Sequence, residues 1–220
     1  MRNEFHDALD GLTADLGDMC GRAGAMMRSA TMALLEAESS EADRLQVDLK
    51  RLTSLGAAVH DRAYSLLALQ APVARDLRTL VAALHIAADA DRMGALAAHV
   101  ARTAKRRYPD CAVPPEVRDL FDQMGVVAVD LAALTQSAVL ACDAEEAERV
   151  SAGDDRMDDL HRQLFARVIT DRWQHGPTAA ADVVLVGRFY ERFADHAVEI
   201  ARRVYFQATG THLGAASSRL

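Results

Sequence analysis

The sequence predicts an all-α protein, on three observations: its composition, the placement of its helix breakers and an internal repeat. Half of the 220 residues are hydrophobic, Ala and Leu are abundant, and there are only 12 glycines and 5 prolines. β-Branched runs are short, which leaves little material for strands. The length suffices for one large domain or two small ones.

Six long helices are expected, at 4–38, 41–70, 74–107, 115–142, 145–172 and 178–208. The first stops at the polar run Glu38-Ser-Ser-Glu-Ala-Asp43, and the second before Ala71-Pro72. The third stops before Tyr108-Pro-Asp-Cys-Ala-Val-Pro-Pro115, which carries three of the five prolines and divides the chain nearly in half. The fourth ends at Cys142-Asp143 and the fifth before His175-Gly-Pro177. A proline ends a helix because its ring disfavours the α region for the residue before it. The last helix gives way to THLGAASSRL, which has no apolar periodicity and reads as a loose tail.

The halves resemble each other. MALLEAESSEADRL (32–45) aligns with SAVLACDAEEAERV (137–150) at an offset of 105. DADRMGALAAHVART (89–103) aligns with FYERFADHAVEIARR (189–203) at an offset of 100. Three helices per repeat imply two tandem pseudo-repeated three-helix bundles, residues 1–108 and 115–209, followed by a tail at 210–220.

Several function classes are excluded. The net charge is −7 and aromatics are 5% of the chain, without the basic face and stacking rings of a nucleic-acid binder. Cys20, Cys111 and Cys142 are odd in number and widely spaced, which disfavours a disulfide framework or a structural zinc site. No apolar leader is evident and no stretch of uncharged apolar residues long enough to insert in a membrane is found, so a cytoplasmic protein is expected. GxSxG, P-loop and GxGxxG patterns are missing, as is a Cys–His pair suggesting a nucleophile, so no enzyme is expected.

The chemistry concentrates in RFYERFADHAVEIARRV (188–204). As a helix it places Glu191, Asp195 and Glu199 on one stripe, away from Phe189, Phe193, Ala197, Ile200 and Val204. Like charges at this spacing repel, by about 0.2–0.5 kcal/mol per pair. Antiparallel pairing about the turn near 175 sets Asp158 level with 191–195, and Asp154 and Asp155 level with 195–199. Two acidic stripes would share one groove. Either Arg188, Arg192, Arg202 and Arg203 neutralise them as a solvated face, or a cation with oxygen ligands binds there. Elsewhere, Asp158 and His161 have a carboxylate–His spacing better read as a surface feature, and Asp89 reads as a hydrogen-bond node at the core. Lys105-Arg-Arg107 suits a helix C-terminus, and could also dock an acidic partner.

LLALQAPVARDLR (66–78), the paired segments 89–103 and 189–203, and GDDRMDDLHR (153–162) together resemble the PhoU family over essentially the whole chain. The resemblance implies two three-helix bundles, often dimeric, with metal clusters (iron, zinc or another ion such as manganese) on the bundle surface. It implies a negative regulator of phosphate uptake and of the phosphate-starvation response, which couples the ATPase subunit of a phosphate ABC transporter to a sensor histidine kinase. The family has a Glu/Asp-x-x-x-Asp motif in each half. Glu191 and Asp195 match it in the second half, while Asp154, Asp155 and Asp158 stand at the family's fifth-helix acids. In the first half Asp91 fills one motif position but Ala95 fills the other, and Lys50 and Thr53 stand level with them. A metal is therefore expected at Glu191, Asp195, Glu199, Asp158, Asp155 and Asp154 only, with Asp91 the remnant of a first site. The rivals are a metal-dependent enzyme or storage protein using that groove, and a metal-free helical scaffold.

Overall fold

The computed structural model describes residues 2–38, 40–170 and 172–213. Its elements are α1 (Arg2–Glu36), α2 (Ser40–Gln70), α3 (Ala74–Arg107), α4 (Pro115–Ala141), α5 (Ala144–Val168) and α6 (Gly176–Thr209). The all-α, six-helix fold is as expected. The tail expected from 210 falls largely, at 214–220, outside the described residues.

The breaks have local causes. Asp143 caps α5, its Oδ1 accepting from the backbone N–H of Glu145 at 2.7 Å, while Cys142 before it takes a left-handed conformation. α5 stops at Val168, short of the expected 172. There the Thr170 hydroxyl donates to the Arg167 carbonyl (3.1 Å) and the Trp173 indole N–H to Gly176 O (3.0 Å). Side-chain bonds of this kind offer the backbone an alternative to another helical turn.

Within each repeat the helices run up, down and up. Lys105 on α3 reaches Asp43 on α2 at 2.6 Å, and Arg62 on α2 pairs with Asp15 on α1. The two bundles then pack side by side, α1 antiparallel on α4 and α3 antiparallel on α6, around one continuous hydrophobic core. These four helices close a quadrilateral, with α2 and α5 at its two ends. The α1–α4 face and the α3–α6 face therefore lie on opposite sides. α1 and α4 approach closely because a side chain is missing: a Cβ on Gly24 would meet Ala132 at 2.7 Å.

Two buried polar links span the repeats. The Tyr190 hydroxyl, fully buried on α6, bonds the Thr31 hydroxyl of α1 at 2.7 Å, and Thr31 is also 2.8 Å from the Met27 carbonyl. Asp182, at the start of α6, accepts from Arg106 (2.6 Å) and Arg107 (2.7 Å) at the end of α3. The cations at 105–107 are thus held by Asp43 and Asp182, a use that the helix dipole alone did not foretell.

α4 keeps a charge, Asp130, within its apolar stretch. It is long and apolar enough to cross a membrane by length and composition, but half of its apolar stretch is buried inside the bundle.

Candidate functional site

The acidic groove forms where expected. α5 and α6 are antiparallel neighbours, with Leu164 and His161 packed over Gly187, and this register carries Asp154 to the level of Asp195. Met157, Leu160 and Leu164 of α5 and Phe193, Ala197 and Ile200 of α6 are buried, which leaves the acids on the outer side of the helix pair.

The six carboxylates do not share one fate. Glu191 pairs with Arg188, and Glu199 with Arg202 and, at 3.8 Å, with Arg203. These are helical neighbours on α6, so the solvated-face explanation accounts for both ends of the stripe. Between them the charge is unbalanced. Burial, then the carboxylates of Asp158, Asp195 and Asp155, push the Asp154 carboxyl up to about 6, with Arg202 pulling the other way. Asp158 faces His161 from the other side, where burial and Arg188 hold the imidazole below its usual range.

The donor chemistry suits a hard cation, since every candidate ligand is an oxygen. The geometry is open. Among the described residues, no three His, Cys, Asp or Glu side chains are gathered closely enough to hold one ion. The carboxylates that act on one another are Asp154, Asp155, Asp158 and Asp195, with Arg202 also within reach of Asp154.

The corresponding place in the first repeat is chemically quiet. The Thr53 hydroxyl donates to Asp91 Oδ1 at 2.7 Å, the register expected from the α2–α3 turn. Ala95 contributes no ligand, Lys50 is exposed, and His99 stands beside Arg102 (2.7 Å) and against the Phe189 ring. Burial and Arg102 keep His99 below the usual imidazole range. Asp89 is the expected node: its Oδ1 lies 3.0 Å from Nδ1 of His196 on α6, tying the two repeats together. His85 is exposed and takes no part. The clamp on Asp182 was missed by sequence reasoning, because its partners lie about 75 residues away and no periodicity connects them.

Comparison with known proteins supplies the rest. A PhoU domain is matched twice, by residues 16–104 and 121–204, the two repeats seen in the fold. The chain is 52% identical over 210 residues to the Mycobacterium tuberculosis protein named phosphate-specific transport system accessory protein PhoU homolog 2, covering 96% of this chain and 99% of that one. It is 50% identical to PhoU homolog 1 of Mycobacterium leprae, covering 96% and 95%. The crystal structure of PhoU from Pseudomonas aeruginosa superposes with a TM-score of 0.87 at 23% identity, covering 94% of this chain and all of that one, which supports the fold. With both repeats matched and half of the residues shared with such relatives over nearly the full length, this chain belongs to the PhoU family.

Proposed function

We propose that this protein is a cytoplasmic, non-enzymatic negative regulator of phosphate uptake and of the phosphate-starvation response. It acts as a homodimer that couples the ATPase subunit of a phosphate ABC transporter to a sensor histidine kinase. The observation that carries this reading is near-full-length similarity at 52% identity to a protein named as a phosphate-transport accessory protein. A switch of this kind works by differential binding: it must favour one state of the transporter or kinase over another. A rigid two-bundle body with one shared core suits that task, because it presents fixed helix faces.

The cation belongs to the same proposal. Asp154, Asp155, Asp158 and Asp195 would hold it, with Glu191 and Glu199 at its margins in exchange for their arginines. Iron, zinc and manganese all accept carboxylate oxygens. Bound there, the ion would supply positive charge and a cross-brace between α5 and α6. The arginine pairs of Glu191 and Glu199 support the rival reading, a metal-free acidic face.

Deleting the gene should leave phosphate-starvation genes expressed when phosphate is plentiful, and the protein should retain the transporter ATPase or the kinase's cytoplasmic part in a pull-down. Unchanged expression together with failure of both pull-downs would overturn the regulatory reading. For the metal, elemental analysis of protein purified without chelators is decisive. Glu191→Ala with Asp195→Ala should lower the melting temperature if an ion is held, since a ligand bound only to the native state stabilises it. If the double variant melts higher and chelator has no effect on the parent, the groove is a solvated face.

A further inference from the structure

The α1–α4 face, opposite the α3–α6 face, bears a groove of about 390 Å³ between the two helices. Two further grooves, of about 200 Å³ along the α1–α2 seam and about 530 Å³ along the α4–α5 seam, include residues of α1 and α4. The apolar part of α4 that is not buried contributes here: Met32 of α1 is 50% exposed and Val126 of α4 is 49% exposed, side by side in the groove. Apolar surface left in a groove with charges along both walls is what an interaction surface presents.

The charges along this groove have a symmetry. On α1, Arg28 and Glu36 lie four residues either side of Met32. On α4, Arg118 and Asp130 lie six residues either side of Met124. These two centres coincide. Gly125 of α4 sits against Thr31 of α1, a Cβ there falling 2.6 Å from the threonine methyl, and the helices are antiparallel, so Met32 and Met124 are level. A two-fold axis at that level, lying in the face and perpendicular to the helix axes, lays α1 on α1 and α4 on α4 and brings each arginine onto the position of an acid. Arg28 of one copy falls on Glu36 of the other, and Asp130 on Arg118. An isologous contact requires this relation, since each residue must meet a partner from the same surface patch.

We propose that this α1–α4 face is the surface on which a second copy of this chain docks. The proposal rests on the self-association included in the reading above, and assigns it a place. Met32 would meet its symmetry mate at the axis, with Val126 of both copies beside it. The Arg28–Glu36 and Arg118–Asp130 pairs, each formed twice, would flank that centre. Arg118 already gives one N–H to the Leu35 carbonyl, and a guanidinium has four more. α4 is about 40 Å long and adjacent helix axes lie ~9 Å apart, so the paired helices offer a face of the order of the ~800 Å² per partner that stable complexes bury. Asp122 is the one charge in the groove that the symmetry leaves without an opposite, as it falls on Val126.

The test is a charge exchange read by sedimentation equilibrium. Arg28→Glu places two acids together at each contact, and Glu36→Arg places two arginines together. Each variant alone should associate at least about tenfold more weakly than the parent, as like charges facing each other in an interface do. Mixed in equal amounts, they should recover parental affinity, because in the hetero-pair every contact is again Glu with Arg. The residues are exposed, and circular dichroism melts check that both variants fold. A parent that remains monomeric across micromolar concentrations overturns self-association and this face together. A parent that dimerises, with variants that dimerise equally well or a mixture that fails to recover, overturns this face and leaves the regulatory reading intact.

Discussion

The two repeats place equivalent residues at equivalent heights on equivalent helix pairs, yet their outer grooves differ in chemistry. In the first, a threonine hydroxyl donates one hydrogen bond to a single aspartate, Thr53 to Asp91. In the second, Asp158 stands where Thr53 does and Asp195 where Ala95 does, and burial together with the neighbouring carboxylates pushes Asp154 up to about 6. Backbone, register and core packing are shared, so the difference lies in a few exposed side chains. Fold is maintained by the apolar faces of these helices, while the outer stripe varies without cost to the core. An acidic stripe that repels itself is present in one repeat and reduced to Asp91 in the other, which marks the second groove as the place to look for a ligand.

The largest effect should come from breaking what the repeats share. Asp182→Ala removes the acceptor of both Arg106 and Arg107 at the junction of α3 and α6. Loss of the charged acceptor, with two partly exposed arginines left behind, should cost about 2 kcal/mol, which lowers Tm by roughly 4–8 °C for a chain of this size. A shift of a degree or two would mean that the core alone holds the halves in register.

Next, the comparison can be inverted. Thr53→Asp with Ala95→Asp gives the first repeat two of the acids of the second. Facing Asp91, they should destabilise by about 1 kcal/mol through like-charge repulsion, seen as a lower Tm in chelator. If the second groove holds a cation, the doubly substituted protein should bind additional metal by elemental analysis. Unchanged stoichiometry would show that two acids beside Asp91 do not make a site.

A smaller, pH-dependent effect isolates Asp154. Its carboxyl rises from the ordinary 3.8 to about 6 in the folded protein, so folding favours the protonated form. The stability it lends is complete below about pH 4 and is lost as pH rises through about 6. Asp154→Asn keeps the shape without the charge, and should raise Tm above pH 7 while matching the parent at pH 4. Partial exposure screens the group and limits the gain to about 1 kcal/mol or less, or ~2–4 °C. A bound cation would reverse the sign at neutral pH, so the melts belong in chelator and in added metal.

Thr53→Val should have the least effect. It removes one exposed hydrogen bond from Asp91, worth about 0.5–1 kcal/mol, and should leave any metal content unchanged.

The sequence made much of this legible for identifiable reasons. Prolines and polar runs mark helix ends locally, so the six helices, and the heights at which Thr53 meets Asp91 and Asp154 meets Asp195, follow from the turns between them. The stop of α5 at Val168 was not legible, because it depends on bonds of Thr170 and Trp173 to backbone carbonyls. The pairings of α1 with α4 and α3 with α6 were not legible either, since packing between repeats leaves no period in the chain. Their evidence lies in single residues: Gly24, Gly125, His196 and Asp182. Within the groove, the helical spacing of Glu191 and Glu199 to arginines offered pairing as one of two readings, beside the expected metal ligation, while the imbalance at Asp154 needed the partner helix.

The Thr31–Tyr190 bond joins residues 159 positions apart across the common core. During synthesis, α1 therefore emerges long before the helix that completes its surroundings, and α4 before α6. A nascent first repeat exposes the side of α1 meant for α4, apolar and glycine-lined. Contacts of such separation close late and leave sticky intermediates. Ribosome-bound chains ending before Tyr190 should remain open to protease and bind a holdase chaperone, while full-length chains unfold in one cooperative step.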